Sequence, residues 1–200
     1  MKKIVFKKIL DLIPQNSRVL DLGCGNGELL AQLRKNKSVQ GYGVEIDLTK
    51  IIDCINRDIS VFHGNIDEGL KEFSDSSYDY VILSQTLQQV KKPLFVISEM
   101  LRVGKKVIVT FPNFGFWKIR TQLLIQGIAP ISKELPYSWY NTPNIRVLTI
   151  KDFINLCKQE NINIAREIPI YKTKLTEILF SKKLSNLLSQ RGMFIIESDK

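Results

Sequence analysis

Val19-Leu20-Asp21-Leu22-Gly23-Cys24-Gly25-Asn26-Gly27-Glu28 is the segment from which the architecture can be read. A short apolar run from Arg18 to Leu22 gives way to glycines at alternate positions, and Leu29, Leu30 and Leu33 then mark one face of a helix. This is a strand, a tight turn and a helix. Glycines let the chain turn sharply and let a ligand approach the backbone. The amides at the start of the helix offer free N–H groups to a negative group. A dinucleotide fingerprint would need Gly or Ala at position 28, where this chain has Glu28. A carboxylate there would repel a pyrophosphate. The phosphate-cradling G-x-x-x-x-G-K-[ST] pattern is also missing from the sequence. The loop suits a nucleoside without phosphates.

Outward from this loop, short apolar runs alternate with helical patterns, which predicts βαβ units and a parallel sheet. Strand two is read at Gln40–Ile46, strand three at Ser60–His63, strand four at Tyr80–Leu83 and strand five at Lys106–Phe111. Asp47 or Thr49 caps the helix after strand two, whose apolar stripe is Ile51, Ile52 and Ile55. Pro93 opens a helix carrying Leu94, Ile97 and Leu101, which Gly104 closes. Beyond strand five the pattern changes. A helix is expected over Phe114–Ile125, followed by a Pro- and aromatic-rich stretch over residues 127–146. So long a connection is usually functional, and residues 114–146 read as a lid. A helix near Lys151–Gln159 and two last strands, Ile162–Ile170 and Met193–Glu197, separated by a helical excursion, complete one domain over residues 1–200.

Composition narrows the function classes. The chain has 200 residues, 44% hydrophobic and 24% charged, as ordinary globular domains do. One histidine and three scattered cysteines, Cys24, Cys54 and Cys157, argue against a zinc cluster and for free thiols in a reducing compartment. No apolar run reaches the length of a membrane span, and Lys2, Lys3, Lys7 and Lys8 interrupt the N-terminus too soon for a signal peptide. A cytoplasmic location is expected. The net charge of +9 is uneven, with seven basic residues and one acidic residue in 101–150. Such a surface is either a solvated face or one that meets nucleic acid, an anionic substrate or an acidic partner.

Asp21-x-Gly23-x-Gly25-x-Gly27 resembles the motif of class I S-adenosylmethionine-dependent methyltransferases. The resemblance implies a Rossmann-like α/β fold with a mostly parallel seven-stranded sheet and helices on both faces. It also implies S-adenosylmethionine or S-adenosylhomocysteine as the ligand. Asp21 would face the ammonium of the methionine tail, and the amides of Gly23, Cys24, Gly25 and Gly27 its carboxylate. Glu45, 18 residues past Gly27 and followed by Ile46, would hold the ribose hydroxyls. Asn65, Ile66 and Asp67 would hold the adenine, with Asp67 on its exocyclic amine. Ser84 and Gln85 would line the methionine end. Cys24 itself reads as inert packing.

Further stretches resemble the methionine biosynthesis protein MetW family: Gly41-Tyr-Gly-Val-Glu-Ile-Asp, Leu83-Ser-Gln-Thr-Leu-Gln, Phe111-Pro-Asn-Phe-Gly-Phe-Trp and Leu135-Pro-Tyr-Ser-Trp-Tyr-Asn-Thr-Pro-Asn-Ile. The likeness covers Ser17 to Glu197. Two departures are Asn65 and Asn141, where the family pattern has Asp. The resemblance implies a role at the homoserine O-acyltransferase step, with a homoserine O-acetyltransferase as partner. It leaves open whether the chain transfers a methyl group or acts as an accessory protein. Catalytic residues are not identifiable: Leu87-Gln88-Gln89-Val90 after strand four holds no base, His63 lies toward the adenine side as a bystander, and Pro112-Asn113 lacks the second proline of an amide-methylating motif. Trp117, Tyr137, Trp139 and Tyr140 would wall a substrate pocket, or serve as lid core or a partner-facing patch. An accessory protein, a small-molecule methyltransferase and an RNA methyltransferase are the three readings.

Overall fold

The computed structural model describes residues 2–132, 135–171 and 184–198. Seven strands form one sheet in the order β3-β2-β1-β4-β5-β7-β6. They are β1 (Arg18–Leu22), β2 (Gln40–Glu45), β3 (Ser60–His63), β4 (Tyr78–Ser84), β5 (Gly104–Pro112), β6 (Asn163–Glu167) and β7 (Arg191–Glu197). The first five run parallel, and β7 is antiparallel to both β5 and β6. The chain moves outward from β1 to β3 and then returns to lay β4 on the other side of β1. That reversal opens a crevice at the carboxyl ends of β1 and β4.

Strand residues alternate between two cores, as the period of two demands. Leu20, Leu22, Val81, Leu83, Val107, Val109, Phe194 and Ile196 face α4 (Pro93–Val103) and α6 (Ile150–Gln159). Val19, Ile82, Ile108, Met193 and Ile195 face α1 (Lys2–Leu12) and α2 (Glu28–Lys37). Both faces of the sheet are covered, which explains the unbroken apolar run in β4.

Two helix stripes differ from the sequence reading. In α3 (Leu48–Ile55), capped by Asp47, the buried residue is Cys54, while Ile52 and Ile55 are more than half exposed. Cys54 is the residue turned inward, beside Gly27, where a Cβ would lie 3.0 Å from its sulfur. In α4 the buried residues are Val96, Ile97, Met100 and Val103, and Leu94 lies at the exposed start. The expected long strand Ile162–Ile170 is shorter: β6 ends at Glu167 after a register slip between Ile164 and Arg166, and pairing with β7 resumes only as an isolated bridge from Ile170 to Arg191. Much of the expected helical excursion lies outside the described residues; α7 (Ser185–Leu188) is its visible end.

The helix after β5 is α5 (Trp117–Gln126), later than expected, because Asn113 holds the preceding turn. The Asn113 side chain is fully buried. Its Oδ1 accepts from the amides of Gly115 and Ile150, and its Nδ2 donates to the carbonyls of Asn186 and Ser189. All four of its hydrogen-bonding positions are therefore filled. Phe114 also donates to the Leu148 carbonyl at 3.0 Å, so the two ends of the segment between β5 and α6 meet. Among the described residues, 127–149 carry no helix or strand, and no helix is long and apolar enough to cross a membrane.

Candidate cofactor-binding site

The glycine loop sits at the carboxyl end of β1, and β2 shapes it. Gly23 and Cys24 donate to the Val44 carbonyl at 2.8 and 3.1 Å. Gly23 and Gly25 both adopt positive φ, at 65° and 59°. A side chain on Gly23 would also strike Thr86, whereas the position of a Cβ on Gly25 faces open space. Gly25 is thus a place where a ligand can approach bare backbone.

Glu45, at the end of β2, is buried and fastens this loop. Its Oε2 accepts from the Gly25 amide at 2.8 Å, and its Oε1 accepts from Ile46 and Asp47 at 3.0 and 3.1 Å. A carboxylate offers about four acceptor positions. Three are taken, which leaves one. Asp21 is 3% exposed. Burial, and then the Glu45 charge, push its carboxyl up to about 8, and Lys2 opposes them.

Two cavities meet here. One, of about 590 Å3, is lined by Asp21, Gly23, Cys24, Gly25, Ser84 and Gln85 and continues to Gln88 and Tyr137. The other, of about 530 Å3, is lined by Gly23, Gly25, Glu45, Ile46, Asn65, Ile66, Asp67, Ser84 and Gln85. Together they bring eleven of the twelve sequence-derived residues to one crevice. The twelfth, Gly27, lines neither cavity. It is the left-handed residue that opens α2, where a Cβ would lie 3.0 Å from the Cys54 sulfur.

Several of these residues have partners that the sequence did not disclose. The Asp67 carboxylate accepts from the Lys91 and Lys92 amides at 3.2 and 2.8 Å. Asn65 caps the turn at Asp67 through Oδ1 and donates through Nδ2 to Glu68, a bond that an Asp in its place could not make. Gln85 holds a positive φ of 62°, and its Nε2 donates to Thr110 at 2.8 Å. The thiols of Cys24 and Cys54 lie 3.9 Å apart, and Cys54 donates to the Gly25 carbonyl. Burial pushes both thiols up, against thiolate formation.

Of the four aromatics expected to wall a pocket, only Tyr137 lines the first cavity. Trp117, Trp139 and Tyr140 are exposed, with Trp139 and Tyr140 edge to face at 5.6 Å. His63 is exposed and lines neither cavity. Lys2, Glu28, Gln88, Asn144 and Arg191 also line the first cavity and were missed. The spacing of Val5, Phe6, Ile9 and Ile13 is a helical signal that could have placed α1, and with it Lys2, beside the site. Gln88 carries no such signal. Among the described residues, no group of three His, Cys, Asp or Glu could hold a metal ion.

The fold is widely shared. A methyltransferase from Archaeoglobus fulgidus, described as SAM-dependent, superposes with a TM-score of 0.70 at 17% identity, over 99% of this chain and 95% of that one. A methyltransferase bound to the Haloferax volcanii Trm112 activator gives a TM-score of 0.68 at 16% identity, over 97% and 88% of the two chains. At such identities the likeness establishes architecture alone. Sequence is more specific. The bifunctional methionine biosynthesis protein MetXA/MetW of Rhodopirellula baltica is 39% identical over 171 residues. That match covers 81% of this chain but only 27% of the relative, so this chain spans about a quarter of that protein's length. The family described as methionine biosynthesis protein MetW matches residues 3–196. The chain therefore belongs to the MetW family.

Proposed function

We propose that the paired cavities hold S-adenosylmethionine or S-adenosylhomocysteine, and that the protein serves methionine biosynthesis together with a homoserine O-acetyltransferase. The observation that carries the ligand reading is the Glu45-fastened glycine loop between two confluent cavities, with Asp21 at one end and Asp67 at the other. The residues fit such a ligand. Bare backbone at Gly25 admits close approach, a buried carboxyl at Asp21 suits an ammonium, and Glu45 keeps one acceptor position for a ribose hydroxyl. When bound, S-adenosylmethionine supplies a methyl group on a positively charged sulfur. The Asp21 carboxylate orients the tail, and Glu45 orients the loop and the ribose.

The partner reading is supported by the Rhodopirellula baltica relative, whose name joins MetXA and MetW in one protein. The charge of residues 101–150 gives little support to an RNA substrate. Arg102 pairs with Glu99 and Asp75, Lys105 with Asp79 and Lys106 with Glu197. Arg120 and Arg146 donate to the carbonyls of Gly115 and Lys91. Five of the seven basic groups are thus engaged within the molecule.

Calorimetry with S-adenosylhomocysteine and with NAD tests the ligand. Binding of the first and not the second is expected, and the reverse order would refute the reading. Co-purification with a homoserine O-acetyltransferase tests the partner, and separate elution at micromolar concentration would refute it.

A further inference from the structure

We infer that Lys2 reads the carboxylate of the ligand's amino-acid tail, and that Glu28 occupies Lys2 as a built-in substitute for that carboxylate until the ligand displaces it. This rests on the cofactor reading above and names a further binding residue at the same site. Helix α1 brings Lys2, Val5 and Phe6 to the wall of the first cavity, beside Asp21, Gly25 and Glu28. The Lys2 ammonium donates to Glu28 Oε2 at 2.7 Å and lies 5.1 Å from the centre of the Phe6 ring. Glu28 is the first residue of α2, where backbone amides lack helical acceptors and the helix dipole favours an anion. A carboxylate at this place has two attractors, the N-terminus of α2 and Lys2. Glu28 supplies one from within the chain.

The surrounding charges give the site a direction. Asp21, which lines the same cavity, suits an ammonium, whose approach favours its carboxylate form, whereas Lys2 suits a carboxylate. A zwitterionic tail is matched when its ammonium turns to Asp21 and its carboxylate to Lys2. The Lys2–Glu28 pair is partly solvated, with side chains 61% and 35% exposed, so exchanging one carboxylate for another on Lys2 costs little.

The competition predicts effects of opposite sign. S-adenosylhomocysteine and its decarboxylated analogue, S-adenosyl-3-thiopropylamine, differ only in the tail carboxylate, and calorimetry compares their affinities. The unaltered protein should prefer S-adenosylhomocysteine. Lys2→Met should weaken S-adenosylhomocysteine about fivefold and leave the analogue unchanged. Glu28→Gln should strengthen S-adenosylhomocysteine by about twofold to fivefold, because the competing carboxylate is gone. Equal loss of both ligands in Lys2→Met, or weaker S-adenosylhomocysteine binding in Glu28→Gln, would overturn the inference while leaving the cofactor reading intact. If neither ligand binds the unaltered protein, the cofactor reading itself fails.

Discussion

The Glu45 carboxylate and the Gly25 amide meet at 2.8 Å, joining the end of β2 to the loop that follows β1. Glu45 therefore acts twice. It fixes the curvature of the glycine loop, and with the proposed ligand its remaining acceptor position would take a ribose hydroxyl. Glu45→Gln preserves volume but turns an N–H2 group toward amides that need an acceptor. Charged hydrogen bonds are worth about 1.5–3 kcal/mol each. S-adenosylhomocysteine should therefore bind at least about tenfold more weakly to Glu45→Gln by calorimetry. Unchanged affinity would remove Glu45 from the site.

Asp21 gives a pH dependence with a defined sign. Its carboxyl is raised from 3.8 to about 8, first by burial and then by Glu45. A raised carboxyl binds its proton more tightly in the folded state than in the unfolded one. Its contribution is fully present below about 4 and is lost as pH rises through about 8. Urea midpoints of the ligand-free protein should fall from mildly acidic to mildly basic pH, and Asp21→Asn should flatten that fall. An ammonium facing Asp21 favours the carboxylate. Binding at neutral pH should accordingly release protons, measured as a dependence of the calorimetric heat on buffer ionisation.

Arg102 holds the segment before β4 against α4. Its guanidinium reaches the Leu70 and Phe73 carbonyls, Glu99 and Asp75, and Glu99 in turn accepts from the Leu70 amide at 2.8 Å. A lysine keeps the charge but cannot fork to four partners. Arg102→Lys should cost about 1–3 kcal/mol in urea unfolding, because carbonyls lose their donors. A midpoint within experimental scatter of the unaltered protein would show that the fork is not needed.

On the proposed partner reading, the exposed aromatics of residues 127–149 would be the anchors. Trp139 is 76% exposed and Tyr140 75%. Buried tryptophans and tyrosines dominate interface energies. If the proposed acetyltransferase docks here, Trp139→Ala should weaken the complex by about 2 kcal/mol or more in surface plasmon resonance, with S-adenosylhomocysteine affinity unchanged. Lys118→Glu should slow association at low salt. Arg120 is a poor choice for charge reversal, because its Nε donates to Gly115 and supports the start of α5.

The sheet was legible because its strands are short apolar runs set between turn residues, and β7 was found by the same signal as β1. The crevice was legible because carboxylates and glycines fall at strand ends in the right order. Helix faces were harder. In α3 the expected stripe of Ile51, Ile52 and Ile55 leaves Ile52 and Ile55 exposed, and the buried residue is the small Cys54 beside Gly27. Hydrophobic spacing reports where apolar residues recur, not how close the neighbouring backbone comes. The partners of Asp67 were illegible for a similar reason. Lys91 and Lys92 reach it from 24 and 25 residues away through backbone amides, which carry no sequence identity.

The saturated amide of Asn113 has a consequence for how this protein can vary. The segment from Phe114 to Thr149 leaves the end of β5 and returns to the start of α6 at one knot, where Asn113 holds both Gly115 and Ile150. A stretch whose two ends are tied at one point, with Ile145 and Arg146 fixed to the Gln88 carbonyl on its return limb, behaves as an exchangeable cassette on those anchors. Its length and side chains can drift while the strands beneath keep their register, so the same scaffold can be fitted with a different outer face without being refolded.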